Sequence, residues 1–277
     1  ATRQPLPLGT ETTVVTVSIG IAAYPHDADT PEGLLQQAEK AMQMARNQGG
    51  NQAAFFDASY KQVAADWFRT ENALRQALDQ GELFLDYQPQ IDIQNGHIVA
   101  VEALLRWRHN GQVIGPGQFI HIVENTDLMH PIGRWVIETA CRQAQRWRER
   151  HHPLRVAVNV FPAQVYAGNL QADVQAALAD SGLPAELLEL EVVESSLLAE
   201  PEATARTLRA IKEMGIGLAL DDFGTGYSSL GYLKHYPFDV LKIDRIFTAN
   251  LGRDPDNTAI VNAIINLAHN LGLRVLA

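Results

Sequence analysis

The spacing of apolar positions changes twice along the chain. In residues 13–57, Val14, Val15, Val17, Ile19 and Ile21 predict a strand, with a turn at Tyr24-Pro25-His26-Asp27. Leu34, Leu35, Ala38, Met42 and Ala45 then recur at helical spacing. Thr30 suits the N-cap, Pro31 the first helical position, and Gly49-Gly50 the end, before a short strand at Ala53 to Phe56. So few elements cannot bury a core alone, and the segment reads as a short α+β appendage or the tail of a domain. From Asp57 to Gly81 the pattern is polar and helical (Val63, Ala64, Trp67, Leu74, Ala77, Leu78), as in a connector.

From Glu82 onward strand and helix patterns alternate. Strands are expected at Leu83 to Gln88, His97 to Leu104, Leu154 to Phe161, Leu187 to Val193, Ile216 to Asp221, Val240 to Asp244 and Leu273 to Ala277. Helices are expected at Pro131 to Glu149, Ala163 to Ala179, Pro201 to Met214 and Asn257 to Asn270. The later strands are leucine-rich or β-branched, as strands covered on both faces tend to be. That order predicts an α/β fold with a largely parallel sheet, and the number of units favours a TIM-like (β/α)8 barrel over an open sheet. The expected division is 1–57 appendage, 58–81 connector and 82–277 barrel.

In such a barrel the chemistry collects at the carboxyl ends of the strands, and here apolar strands end repeatedly in polar residues. Gln88, Glu102, Asn159, Glu191, the pair Asp221-Asp222, and Lys242 with Asp244 all stand at such ends. Glu102, Asn159, Glu191, Asp221 and Asp222 would bring four carboxylates and one amide to a single mouth, a set that repels itself unless cations intervene. An all-oxygen shell selects Mg²⁺ or Mn²⁺ over Zn²⁺, adjacent aspartates suit two ions, and two ions suit phosphoryl transfer. Lys242 fits a phosphate oxygen or a nucleophilic water, and Arg106 fits a phosphate.

Composition narrows the field. With 46% hydrophobic residues the 277-residue chain can build a large core, while a net charge of −10 works against non-specific binding to nucleic acid. The most apolar stretch, Val14 to Ala23, is too short to cross a bilayer, so no membrane contact is expected. The single cysteine, Cys141, sits in an amphipathic helical pattern, reads as a core thiol, and fits a reducing, cytoplasmic setting; whether a parent protein is membrane-tethered stays open. Trp107 reads as a core residue, with a place near a bound base as the alternative. Asp222-Phe223-Gly224 matches a kinase tripeptide without the rest of that site, and Gly224-Thr225-Gly226 with Ser228-Ser229 reads as a loop beside the metals.

These motifs together resemble the EAL family of cyclic di-GMP phosphodiesterases. The resemblance rests on Glu102-Ala103-Leu104-Leu105-Arg106-Trp107, Tyr87-Gln88-Pro89, Asn159, Glu191 to Glu194, Asp221 through Leu230 and Leu241-Lys242-Ile243-Asp244, in order, over roughly residues 70 to 277. Residues 13–57 resemble the end of a GGDEF diguanylate cyclase domain through Thr16 to Ala22 and Ala38 to Arg46. The Gly-Gly-Asp-Glu-Phe signature itself does not occur, so no cyclase activity is expected.

The resemblance implies metal ligation by Glu102, Asn159, Glu191 and Asp221, with Asp222 on a second ion and Lys242 positioning the attacking water. Gln88, Leu105 and Arg106 would contact the dinucleotide. Glu194, Phe223, Gly224, Thr225, Gly226, Ser228 and Asp244 would support the site and its loop, which in the family links metal binding to a homodimer contact. The reaction implied is opening of one phosphodiester of cyclic di-GMP to linear pGpG. Phe161 and Val193 depart from common family residues and alter the surroundings of the ligands. The family pattern continues beyond Ala277 with a strand ending in Glu-Gly-Val-Glu, which carries a general base, and a Gln-Gly motif, so the expected barrel is C-terminally incomplete with exposed strand edges. A cyclic di-GMP receptor that binds without cleaving is therefore the alternative, and a pure interaction scaffold a third reading.

Overall fold

A computed structural model describes residues 6–8, 11–13, 16–25, 27–56, 58–166, 169–224, 235–249 and 251–277. The chain divides into two compact units, Ala1–Ala73 and Leu74–Ala277.

In the first unit, β1 (Leu6–Leu8) and β2 (Glu11–Thr13) pair antiparallel. Strands β3 (Ile19–Ile21) and β4 (Ala53–Phe55) pair parallel, joined through helix α1 (Pro31–Asn47). Thr30 Oγ1 accepts from the Gly33 amide at 3.1 Å and Pro31 opens α1, the capping its sequence predicts. A Cβ on Gly20 would lie 1.8 Å from the Ala38 carbonyl oxygen, so only glycine lets β3 approach α1 this closely. The long strand expected from Val14 to Ile21 is reduced to Ile19–Ile21 because β4 supplies only a three-residue ladder; Val14 and Val15 lie outside the described residues. Helix α2 (Ala58–Asp79) occupies the expected connector.

The second unit contains β5 (Leu83–Ile91), β6 (Ile98–His109), β7 (Gln112–Ile114), α3 (Ile120–Glu124), α4 (Met129–Glu149), β8 (Arg155–Val160), α5 (Pro162–Tyr166) and α6 (Leu170–Ser181). It continues with β9 (Leu188–Val193), α7 (Ser196–Ala199), α8 (Pro201–Glu213), β10 (Gly217–Phe223), β11 (Val240–Ile243), α9 (Arg245–Thr248), α10 (Pro255–Asn270) and β12 (Arg274–Leu276). The sheet order is β12-β11-β10-β9-β8-β6-β5, with β7 also on β6. Strands β6, β8, β9, β10, β11 and β12 run parallel, the TIM-barrel-like α/β arrangement expected. Among the described residues the two ends of that order, β12 and β5, share no ladder.

Strand β5 breaks the parallel rule. Residues 92–97 are too few for a crossover helix, so β5 and β6 form a long antiparallel hairpin. The single helix expected over Ala163 to Ala179 forms as α5 and α6, with Asn169, a poor helix former, at the start of the second. Helix α10 begins two residues earlier than its apolar pattern suggests, because Asp254 caps it through the amides of Asp256 (3.0 Å) and Asn257 (3.4 Å).

The core lies between the sheet and its helices. Val156, Val158, Leu188, Leu190, Leu218 and Leu220 are fully buried, as are Ile132, Ile137 and Cys141 of α4, which packs against β8. Burial pushes the Cys141 thiol up to about 12, which fits a packed side chain and not a nucleophile. Trp107 is equally enclosed, edge-on to Phe119 at 5.7 Å and donating Nε1–H to Glu82 at 3.0 Å, as a core residue does.

Candidate functional site

Register brings the polar strand ends together. Asn159 on β8 pairs with Glu191 on β9, Glu191 pairs with Ala219 on β10, and Asp221 follows two residues further on. Because strand side chains alternate, Glu102, Asn159, Glu191, Asp221 and Lys242 all turn to one face. Asn159 Nδ2 donates to Glu102 Oε1 at 2.8 Å. The Lys242 ammonium donates to Glu102 Oε2 (3.3 Å), to Asp221 Oδ2 (2.8 Å) and to Glu191 Oε2.

The electrostatics of this cluster are unbalanced. One oxygen from each of Glu102, Glu191 and Asp221 lies within 4.8 Å of the others, against one ammonium. Burial drives the Glu191 carboxyl up to about 8; Lys242 pulls it down, while Glu102 and Asp221 raise it further. Burial alone would lower the Lys242 ammonium, but the three carboxylates hold it above its ordinary range. Glu191 Oε1 is buried with no hydrogen-bond partner. An orphaned carboxylate oxygen inside a crowded oxygen cluster is what a hard divalent cation satisfies, so these residues fit a bound metal ion.

The adjacent aspartates reach the same side by a backbone irregularity. Simple alternation would send Asp222 away from Asp221, but the β10–β11 register shifts between Leu220 and Phe223, and Asp222 adopts a left-handed φ of 55°. Burial, then Asp221 and Asp244, raise the Asp222 carboxyl, with Asp244 also hydrogen-bonded to it. Asp244 caps α9 through the Ile246 amide at 2.6 Å. Glu194 is buried and accepts from the Gly224 amide at 3.2 Å, while its own amide donates to the Asp221 carbonyl at 3.2 Å. Gly224 has φ of 100° and a Cβ there would lie 3.0 Å from the Phe247 ring, so the turn after Asp222 needs glycine. Phe223 is buried opposite Ile243. Thr225, Gly226, Ser228 and the rest of the loop to Leu230 lie outside the described residues.

The β5–β6 hairpin forms a second wall. Gln88 stands directly opposite Glu102, exposed and on its face. Arg106 shares that face, with Nε 3.0 Å from Asp86. Leu105 does not share that face. Alternation places it with Ala103 and Trp107 on the covered side, where it is buried, and places Leu104 with Glu102 and Arg106 instead. The neighbouring Tyr87 also turns away from Gln88, packing edge-on against Trp147 at 4.8 Å.

A barrel-like sheet carries at its strand ends an all-oxygen acidic cluster with one lysine, a set that could hold a divalent metal ion. Comparison with known sequences agrees: the EAL domain profile matches residues 71–277, and the profile of the diguanylate cyclase, GGDEF domain matches residues 1–52. The chain belongs to the EAL domain family, preceded by a GGDEF fragment. It is 41% identical over 276 residues to the bifunctional diguanylate cyclase/cyclic di-GMP phosphodiesterase MucR of Pseudomonas aeruginosa, covering 99% of this chain and 40% of MucR. It is 38% identical to the cyclic di-GMP phosphodiesterase NbdA of the same organism, covering 99% of this chain and 35% of NbdA. The chain thus spans about two fifths or less of these relatives. Among solved structures, the PaMucR phosphodiesterase in complex with c-di-GMP superposes with a TM-score of 0.72 at 42% identity, over 75% of this chain and 85% of that one. The EAL enzyme Bd1971, bound to cAMP and cyclic di-GMP, superposes with a TM-score of 0.74 at 29% identity, over 90% and 66%.

Proposed function

We propose that this chain carries a cyclic di-GMP phosphodiesterase site that opens one phosphodiester to give linear pGpG. The observation that supports it most is the convergence of Glu102, Glu191 and Asp221 on one spot, with Glu191 Oε1 left without a partner. Glu102, Asn159, Glu191 and Asp221 would hold one Mg²⁺ or Mn²⁺ ion and Asp222 would share a second. Bound there, the ions would supply Lewis-acid stabilisation of charge at phosphorus. Lys242 brings an ammonium to the centre of the cluster, where its charge would position the attacking water. The water oxygen bonds to phosphorus, one P–O ester bond breaks, and the displaced sugar oxygen takes a proton. Gln88, Leu105 and Arg106 would contact the dinucleotide, with Leu104 beside them on the face of Glu102. The proposal includes the homodimer implied by the family resemblance, the partition 1–57, 58–81 and 82–277, and a cytoplasmic site of action. Among the described residues no helix is long and apolar enough to cross a membrane.

The test is incubation of this chain with cyclic di-GMP in Mg²⁺ or Mn²⁺, chromatography of the product, and Lys242→Ala as control. Linear product that disappears in Lys242→Ala supports the proposal. Binding without product favours a receptor, and no binding rules out both readings. Sedimentation of the same sample reads the oligomeric state.

A further inference from the structure

Asp86 is exposed, carries a negative charge, and stands on the wall where an anionic ligand is proposed to lie. Its charge alone opposes such a ligand, and an ion pair this exposed adds little stability. Its geometry accounts for its place. Asp86 lies opposite Leu104 in the hairpin register, so Arg106 is its diagonal neighbour on the same face, within reach of a long side chain. The carboxylate sits 3.0 Å from Arg106 Nε, and Arg106 Nη1 donates to the Leu105 carbonyl at 2.9 Å. Two anchors on different strands fix the plane of the guanidinium. Nη2 has no partner among the described residues and its N–H groups stay available, on a residue whose backbone lies roughly 13 Å up the strand from that of Glu102.

We infer that Asp86 is a positioning residue: it holds Arg106 so that the Nη2 end meets a phosphate or base edge of the cyclic dinucleotide. This rests on the proposed function, and deepens it by assigning substrate affinity to a residue outside the carboxylate cluster. Fixing a guanidinium before binding removes rotamer entropy that the ligand would otherwise have to overcome.

The experiment is a double-mutant cycle on this chain, with cyclic di-GMP binding read by calorimetry and KM and kcat read where product forms. Asp86→Ala is expected to weaken binding about threefold to fivefold, raising KM with kcat unchanged. Asp86→Asn, which keeps an acceptor and loses the charge, is expected to bind as the parent does or tighter. Arg106→Ala weakens binding further, and adding Asp86→Ala to it gives no further weakening. Unchanged or tighter binding in Asp86→Ala overturns the inference, as does an Asp86→Ala effect that persists in full without Arg106. In those two cases the parent still binds and the proposed function stands. A parent that does not bind cyclic di-GMP overturns the proposed function and this inference together. The thermal melt of Asp86→Ala is expected to match the parent, separating affinity from folding.

Discussion

Strand β9 buries two glutamates, two residues apart on one face, and their surroundings are opposite. Glu189 is 1% exposed and faces two guanidiniums, Arg155 at 3.2 Å and Arg274 at 3.4 Å. Glu191 is also 1% exposed, but it shares one ammonium with Glu102 and Asp221 and keeps an oxygen without a partner. Residue type, strand, face and burial are the same. The count of neighbouring charges separates them: a cation surplus completes a structural ion network, whereas an anion surplus leaves a place for a cation from outside.

The comparison breaks most visibly in turnover. Lys242→Ala and Glu191→Gln are each expected to lower the rate of cyclic di-GMP hydrolysis by ~10²–10³-fold, the usual scale for losing one charged group from a reacting centre. Glu189→Gln should leave the rate of the folded enzyme unchanged. Equal rate losses at both glutamates would show that the two sites are not functionally distinct.

Stability should order them the other way. Glu189→Gln leaves two guanidiniums facing each other and is expected to cost about 2 kcal/mol in urea unfolding, below the ~3–5 kcal/mol of a fully buried broken pair because both arginines are partly exposed. Above about pH 8, where Glu191 is ionised in the metal-free protein, Glu191→Gln relieves repulsion and is expected to be neutral or stabilising. Should Glu191→Gln destabilise as much as Glu189→Gln, the anion surplus would not be the strained feature.

The same surplus predicts a pH dependence. In the folded, metal-free protein Glu191 titrates near 8, against an ordinary 4.5, so between those values the folded state binds the extra proton. Stability then falls as pH rises through this window, by at most ~1.4 kcal/mol per pH unit for one proton. Melting curves of chelator-treated protein at several pH values read the slope. Glu191→Gln should flatten it, and so should saturating Mg²⁺, which stabilises the carboxylate form.

What could be read in the sequence divides along the same line. Apolar periodicity and capping residues locate α1, α4 and the parallel strands, and the polar strand ends nominate Glu102, Asn159, Glu191, Asp221 and Lys242, all of which meet in space. Features that depend on pairing geometry are not visible there. The antiparallel β5–β6 hairpin depends on the brevity of residues 92–97, and the arrival of both Asp221 and Asp222 at the mouth depends on an irregularity in β10. Leu105 comes from motif reading, whereas strand alternation places Leu104 on the face of Glu102. Glu189 was not singled out at all, because its two arginines lie 34 and 85 residues away and only the barrel-like sheet gathers them.

The smallest effect tests the packing around the two glutamates. In the β9–β10 register Glu189 stands opposite Gly217 and Glu191 opposite Ala219, so one carboxylate faces a bare backbone and the other a methyl group. A Cβ on Gly217 would lie 3.2 Å from Glu189 Oε2 and 3.3 Å from its Cγ. Gly217→Ala therefore pushes the Glu189 side chain by a few tenths of an ångström and strains its bonds to Arg155 and Arg274, a modest overpacking cost. The same change restricts the unfolded chain, which acts in the opposite direction by ~0.4–1 kcal/mol. The net expectation is a destabilisation below about 1 kcal/mol in urea unfolding, with hydrolysis unchanged. A rate loss in Gly217→Ala would mean that strain at Glu189 reaches Glu191 along β9, and that the structural and reactive ends of the strand are one coupled unit.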